Sequence, residues 1–253
     1  MTLLAVERIK LFTTRSPLWC TLIALTVTVG FAALIAGVDN TNPVTLASTQ
    51  FGYNFGLVVV MVMAALAVTT EYRFSTIRAT FQAVPNRTAV LLAKTGVVAA
   101  FAGVIGLVGS FGSVAVSKLI RPSANLAINT EFAWRAVAGV GLVYAFAAVI
   151  AVSVGSLVRH SAGAISILLI YTQLVEQLIQ LIPKVGVNIQ HWMPFYVANR
   201  FLTGNPDLTN RPVTEGPTPS ASSLPPWAAA AYFAGIAVVF LITALVVTNR
   251  RDA

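Results

Sequence analysis

Charge is what this sequence has least of. Only 9% of its 253 residues are charged, against about 25% in a typical soluble domain. So few ionic groups cannot keep an aqueous surface wet, which excludes a soluble globular protein and makes lipid the solvent for much of the chain. Cysteine is nearly absent as well. Cys20 stands alone, which excludes an intrachain disulfide and a cysteine-based metal cluster. The two histidines, His160 and His191, are far apart and have no neighbouring ligands, so neither a metal site nor a catalytic centre is built on them. No G-x-x-x-x-G-K-[ST] phosphate loop occurs, so any energy taken from ATP has to come from another chain. The net charge of +8 is not accompanied by an aromatic-basic recognition module, and nucleic-acid binding is excluded on that ground.

What the chain does have is apolar length. Hydrophobic residues make up 57% of it, and the mean hydropathy is +0.82. Six runs, 18–38, 49–69, 95–117, 132–157, 161–182 and 227–247, reach or exceed the roughly 20 residues needed to cross a ~30 Å hydrocarbon layer. Long apolar runs satisfy their own backbone as helices, whereas a barrel would show short alternating strands. The expectation is an all-α polytopic membrane protein, a single transmembrane domain over 1–253. The first run follows Arg8, Lys10 and Arg15 like a secretory signal, but it is longer than the 7–15-residue core of one. With the N-terminus inside, ten of the 16 basic residues fall on the cytoplasmic side, among them Arg73, Arg78, Arg87, Lys94 and Arg159. The positive-inside rule then sets both ends in the cytoplasm. Trp134, Trp192 and Trp227 fall at outer boundaries and Trp19 at the inner one, as interfacial aromatics do.

Two shorter segments flank the spans. Residues 1–17 read as an amphipathic interfacial helix, with Ala5, Val6, Ile9 and Phe12 on one side and Glu7, Lys10 and Thr14 opposite. Residues 183–226 read as an extracytoplasmic loop. Its first part holds Trp192, Met193, Phe195, Tyr196, Phe201 and Leu202, too apolar for a free loop and too short to span, so a half-buried or re-entrant segment is expected. Its last part, 205–226, is rich in Pro, Thr, Ser and Asn. Small residues Gly103, Gly106, Gly109 and Gly112 mark the third span as a close-packing face.

The loop after the second span is the first piece with functional content. As a helix over 71–85 it places Phe74, Ile77, Phe81 and Val84 on one stripe, opposite Ser75, Arg78 and Gln82, with Pro85 as a stop. The residues alone support two readings: a juxtamembrane helix held by anionic lipid, or a docking helix for a cytoplasmic partner.

Glu71, then Thr76-Ile77-Arg78, Pro85, Arg87 and Lys94 resemble the signature after the second span of type-2 ABC export permeases. Glu7-Arg8-Ile9-Lys10-Leu11 is similar to the amphipathic helix that opens those chains. One departure is Ser75, where the family often has Gly. The resemblance implies that the loop is a coupling helix, with Glu71, Arg73, Phe74, Ile77, Arg78, Phe81 and Val84 gripped by a separate ATP-binding subunit. It also implies two copies of that subunit carrying ATP and Mg, a second permease copy or related permease, and a place in a bacterial inner membrane.

The fifth span is the second informative piece. Ser166, Gln173, Glu176, Gln177 and Gln180 share an arc of a continuous α-helix, and Glu176 is the sole acidic residue well inside a predicted span. Counting ~1.5 Å per residue from Ser161 puts it about 22 Å along a ~30 Å core. An acid in mid-membrane costs about 2.5–3.5 kcal/mol, less near an edge, so this face is expected to meet protein or water. It reads either as a solvated helix end or as a wall of an outer vestibule. Gln50, Tyr53 and Asn54 of the second span supply an opposite wall, and the resemblance implies that these two spans line the pathway. The functional expectation is an ABC exporter permease for an amphipathic or hydrophobic compound. The alternatives are a proton-coupled secondary transporter using Glu176, and a membrane enzyme or anchor.

Overall fold

A computed structural model of the chain describes residues 3–38, 44–84, 86–204 and 223–251. Pro85 and most of the 205–226 loop lie outside the described residues. In chain order the helices are α1 (Leu3–Thr13), α2 (Arg15–Val38), α3 (Leu46–Thr49), α4 (Tyr53–Arg73), α5 (Thr76–Ala83), α6 (Arg87–Ile120), α7 (Glu131–Val158) and α8 (Ser161–Ile170). A π turn (Tyr171–Val175), α9 (Glu176–Leu178) and a 3₁₀ turn (Ile179–Leu181) continue α8. Then come α10 (Gly186–Gln190), α11 (Pro194–Thr203) and α12 (Pro226–Arg251). Among the described residues there is no strand. Six stretches are long and apolar enough to cross a membrane, and the chain is an all-α polytopic membrane protein.

The spans start and stop where capping chemistry permits. Asn86 accepts the Ala89 amide at 3.0 Å to open α6, Thr130 accepts from Ala133 to open α7, and His160 Nδ1 accepts from Gly163 to open α8. Such caps satisfy amides that have no partner within the helix. The third span begins at Arg87, two turns before the expected 95. Lys94 is the reason: its charge is neutralised inside the protein, so it does not end the helix.

The helix α7 is the central post. It packs against α4, α6, α8 and α12, and 72% of its apolar window is buried, against 22% for the first and fifth spans and 17% for the sixth. The poorly covered spans therefore form the periphery. Glycine sets the close crossings. A Cβ on Gly52 would meet the Thr28 carbonyl at 2.7 Å, and one on Gly106 would meet Gly141 Cα at 3.0 Å. Backbones this close carry no room for side chains.

Two expectations about the flanking segments change in detail. The polar side of α1 turns inward: Glu7 is buried, while Ile9 and Phe12 are about half exposed. In lipid the apolar side is the one that faces out, which inverts the pattern of a water-soluble helix. The apolar part of the loop between the fifth and sixth spans forms α11, a half-buried helix packed on α7 and α12 with Val197, Ala198, Phe201 and Leu202 inward.

Candidate functional site

The two ends of the bundle carry different chemistry. At the end holding α1, α5 and the close of α12, four charged side chains from three helices converge. Lys94 of α6 lies 2.5 Å from Glu7 of α1 and 2.8 Å from Glu71 of α4. Lys10 of α1 lies 3.0 Å from Glu7 and 3.4 Å from Glu71. Two cations meet two anions, and Lys94 and Glu7 are almost wholly removed from solvent. Such burial is tolerable only because every charge has a partner. Burial alone would lower the Lys10 pKa, but the bond to Glu7 and the field of Glu71 outweigh it and hold it above the ordinary lysine value. Lys10 also donates to Thr80 Oγ1 at 3.1 Å, which ties α5 to the cluster. A cavity of about 490 Å³ adjoins it, walled by Leu11, Met63, Leu66 and Val97.

The stretch 71–85, expected as one helix, is divided between two. The helix of the second span runs on to Arg73, so Glu71 and Arg73 belong to the span, and α5 covers only Thr76–Ala83. Glu71 points into the ion-pair cluster. Between the two helices Ser75 stands at φ 57°, the left-handed region. That conformation costs an L-residue roughly 1–2 kcal/mol and glycine nothing, so backbone conformation, more than size, distinguishes Ser from Gly here. The kink also breaks the stripe. Phe74 is 67% exposed, Ile77 is buried against the bundle, and Val84 is extended. Arg78 is exposed, and Arg87 lies over the Phe81 ring at 5.5 Å.

At the opposite end, Tyr53 of the second span and Glu176 of the fifth both bond to α11. Tyr53 donates from its hydroxyl to Asn199 Oδ1 at 2.7 Å. Glu176, only 3% exposed, accepts the Phe195 amide at 3.1 Å and the Tyr196 amide at 2.9 Å. These are the second and third residues of α11, and its own N-cap residue, Met193, offers no side-chain cap. Glu176 therefore caps α11 from another helix. At the other terminus Arg135 Nη2 donates to the Gly204 carbonyl. An anion at the N-terminus and a cation at the C-terminus both complement the helix dipole.

The expected arc on the fifth span divides accordingly. The π turn at Tyr171–Val175 changes the register of the helix. Glu176 is turned inward, while Gln173, Gln177 and Gln180 are exposed. On the second span Gln50 is buried, its Nε2 donating to the Ser110 carbonyl at 3.2 Å, and Asn54 is exposed. Sequence reasoning did not single out Glu7, Lys10, Lys94 or Arg135 as site residues. The one local signal was the opposite charge of Glu7 and Lys10 three residues apart.

Residues 3–175 match a family model described as ABC-2 family transporter protein, a stretch that covers the first four spans and much of the fifth. None of the curated proteins matches the chain.

Proposed function

From the premise that the chain belongs to the ABC-2 transporter family, whose members are membrane transport subunits, we propose that it is the permease of an ATP-driven exporter. Its cargo is an amphipathic or hydrophobic compound, such as a drug, a lipid or a natural product, moved out of the cytoplasm or the inner leaflet. ATP and Mg belong to two copies of a separate ATP-binding subunit, and a second permease copy or a related chain completes the pathway. The end that carries α1 and α5 faces the cytoplasm of a bacterial cell, with both chain ends inside; the concentration of Arg8, Arg15, Arg73, Arg78 and Arg87 there supports this orientation.

One observation carries the reading. The short helix α5 exposes Arg78 and stands beside exposed Phe74, yet it is bonded through Thr80 to Lys10 and so to a buried cluster that joins α1, α4 and α6. A push on α5 is passed to three helices by contiguous contacts, as coupling between distant sites requires. Exposed Asn54, Gln173, Gln177 and Gln180 support a covered pathway face, since amides left in hydrocarbon lack hydrogen-bond partners. A proton-coupled mechanism through Glu176 fits less well, because both its oxygens already hold α11.

The test is co-purification from mild detergent. A soluble ATP-binding subunit is expected to accompany the parent chain, and Phe74→Ala with Phe81→Ala is expected to weaken that association. If the double variant keeps its partner as firmly as the parent, α5 is not the docking element.

A further inference from the structure

A second cavity, of about 600 Å³, adjoins the C-terminal end of α11 and shares Arg135 with the region described above. It opens between α6, α7 and the start of α12, within the size range of ordinary ligand sites. Its walls are apolar and small: Ala99, Gly103, Ala138, Gly141 and Ala145 leave a groove beside the close crossing of α6 and α7. Its mouth is different. Trp134, Trp227, Glu131 and Arg135 gather there, with Trp227 Nε1 donating to Glu131 Oε1 at 2.8 Å. Arg135 Nη1 stands 3.9 Å from the same carboxylate.

The guanidinium of Arg135 is incompletely used. The residue is only 8% exposed, and one edge is spent on the Gly204 carbonyl. Its Nε is buried with no hydrogen-bond partner among the described residues. A buried charged donor without an acceptor is costly, and a guanidinium matches the geometry of a phosphate. Glu131, by contrast, leaves most of its side chain in the open, 72% exposed, at the same rim. The mouth therefore offers one cation and one anion side by side at the depth where interfacial tryptophans sit. From Arg135 to Ala145 the groove follows ten residues of α7. At ~1.5 Å each that is about 15 Å, half of a ~30 Å core and so the depth of one leaflet.

We propose that this groove binds a zwitterionic phospholipid bearing a primary ammonium. The phosphate lies on the Nη1 side of Arg135, the ammonium lies on Glu131, and one acyl chain runs down the groove between α6 and α7. An apolar helix from another chain in the same place would fill the apolar walls but bring no anion to the Arg135 guanidinium.

Native mass spectrometry of the purified full chain, titrated with phosphatidylethanolamine, phosphatidylcholine or phosphatidylglycerol, tests this. Phosphatidylethanolamine is expected to bind about tenfold or more tightly than phosphatidylcholine, whose ammonium has no N–H to donate, as one charged hydrogen bond of about 1.5–3 kcal/mol requires. Glu131→Gln, at an exposed rim position, is expected to erase that preference. Ala145→Phe, which fills the groove, is expected to lower the affinity for all three lipids, and Arg135→Gln likewise. Equal affinity of the parent for the three lipids, or undiminished binding by Ala145→Phe, would overturn the proposal.

Discussion

The two ends of the bundle solve the same problem, a carboxylate out of water, in opposite ways. At the end with α1 and α5, Glu7 and Glu71 are neutralised by the ammonium groups of Lys10 and Lys94. At the other end, Glu176 has no cation beside it among the described residues and is held by two backbone amides at the start of α11. The first device joins helices charge to charge. The second fixes one short helix by its dipole, with Arg135 doing the converse at Gly204. A buried acid in such a bundle is thus equally consistent with an ion-pair lock and with a helix anchor, and only its partners tell the two apart.

The sharpest way to break this contrast is at Lys94. Lys94→Ala leaves Glu7 and Glu71 sharing Lys10 in a buried place, and removal of one member of such a set costs about 3–5 kcal/mol. A large drop in thermal stability in detergent is expected, partly restored when Glu7→Gln is added; no drop would mean the cluster is solvated. Glu176→Ala comes next. It orphans the Phe195 and Tyr196 amides, at about 1–3 kcal/mol, and faster hydrogen exchange confined to α11 is the expected signature. Exchange spreading equally to α5 would erase the distinction between the ends. Ser75→Gly is the smallest change and has the opposite sign. Relief of the left-handed strain outweighs the added freedom of the unfolded chain, for a gain of up to about 1 kcal/mol, read as a higher unfolding midpoint. A lower midpoint would show that the Ser75 turn is not strained.

Much of the fold was legible because apolar length is a strong signal: all six spans fall where hydropathy puts them. The edges were less so, because Glu71, Arg73 and Lys94 look like boundaries in one dimension and are helical residues in three. The inward turn of α1 was hidden for a related reason, since amphipathicity gives two faces without saying which one meets lipid. Glu176 stood out as an acid in a span, but its partners are main-chain amides nineteen and twenty residues away, and no pattern of side chains encodes those. The π turn that parts Glu176 from Gln173, Gln177 and Gln180 left no mark in the composition either.

The four-charge cluster has a last consequence in its sum. Two positive and two negative groups cancel, so the knot beneath α5 projects almost no field into solution, and its Lys94–Glu7 pair is too deeply covered for mobile ions to reach, while Lys10 stays about one third exposed. The Lys94–Glu7 link keeps its stiffness in dilute and concentrated electrolyte alike, whereas a joint made of surface ion pairs would slacken as electrolyte rose.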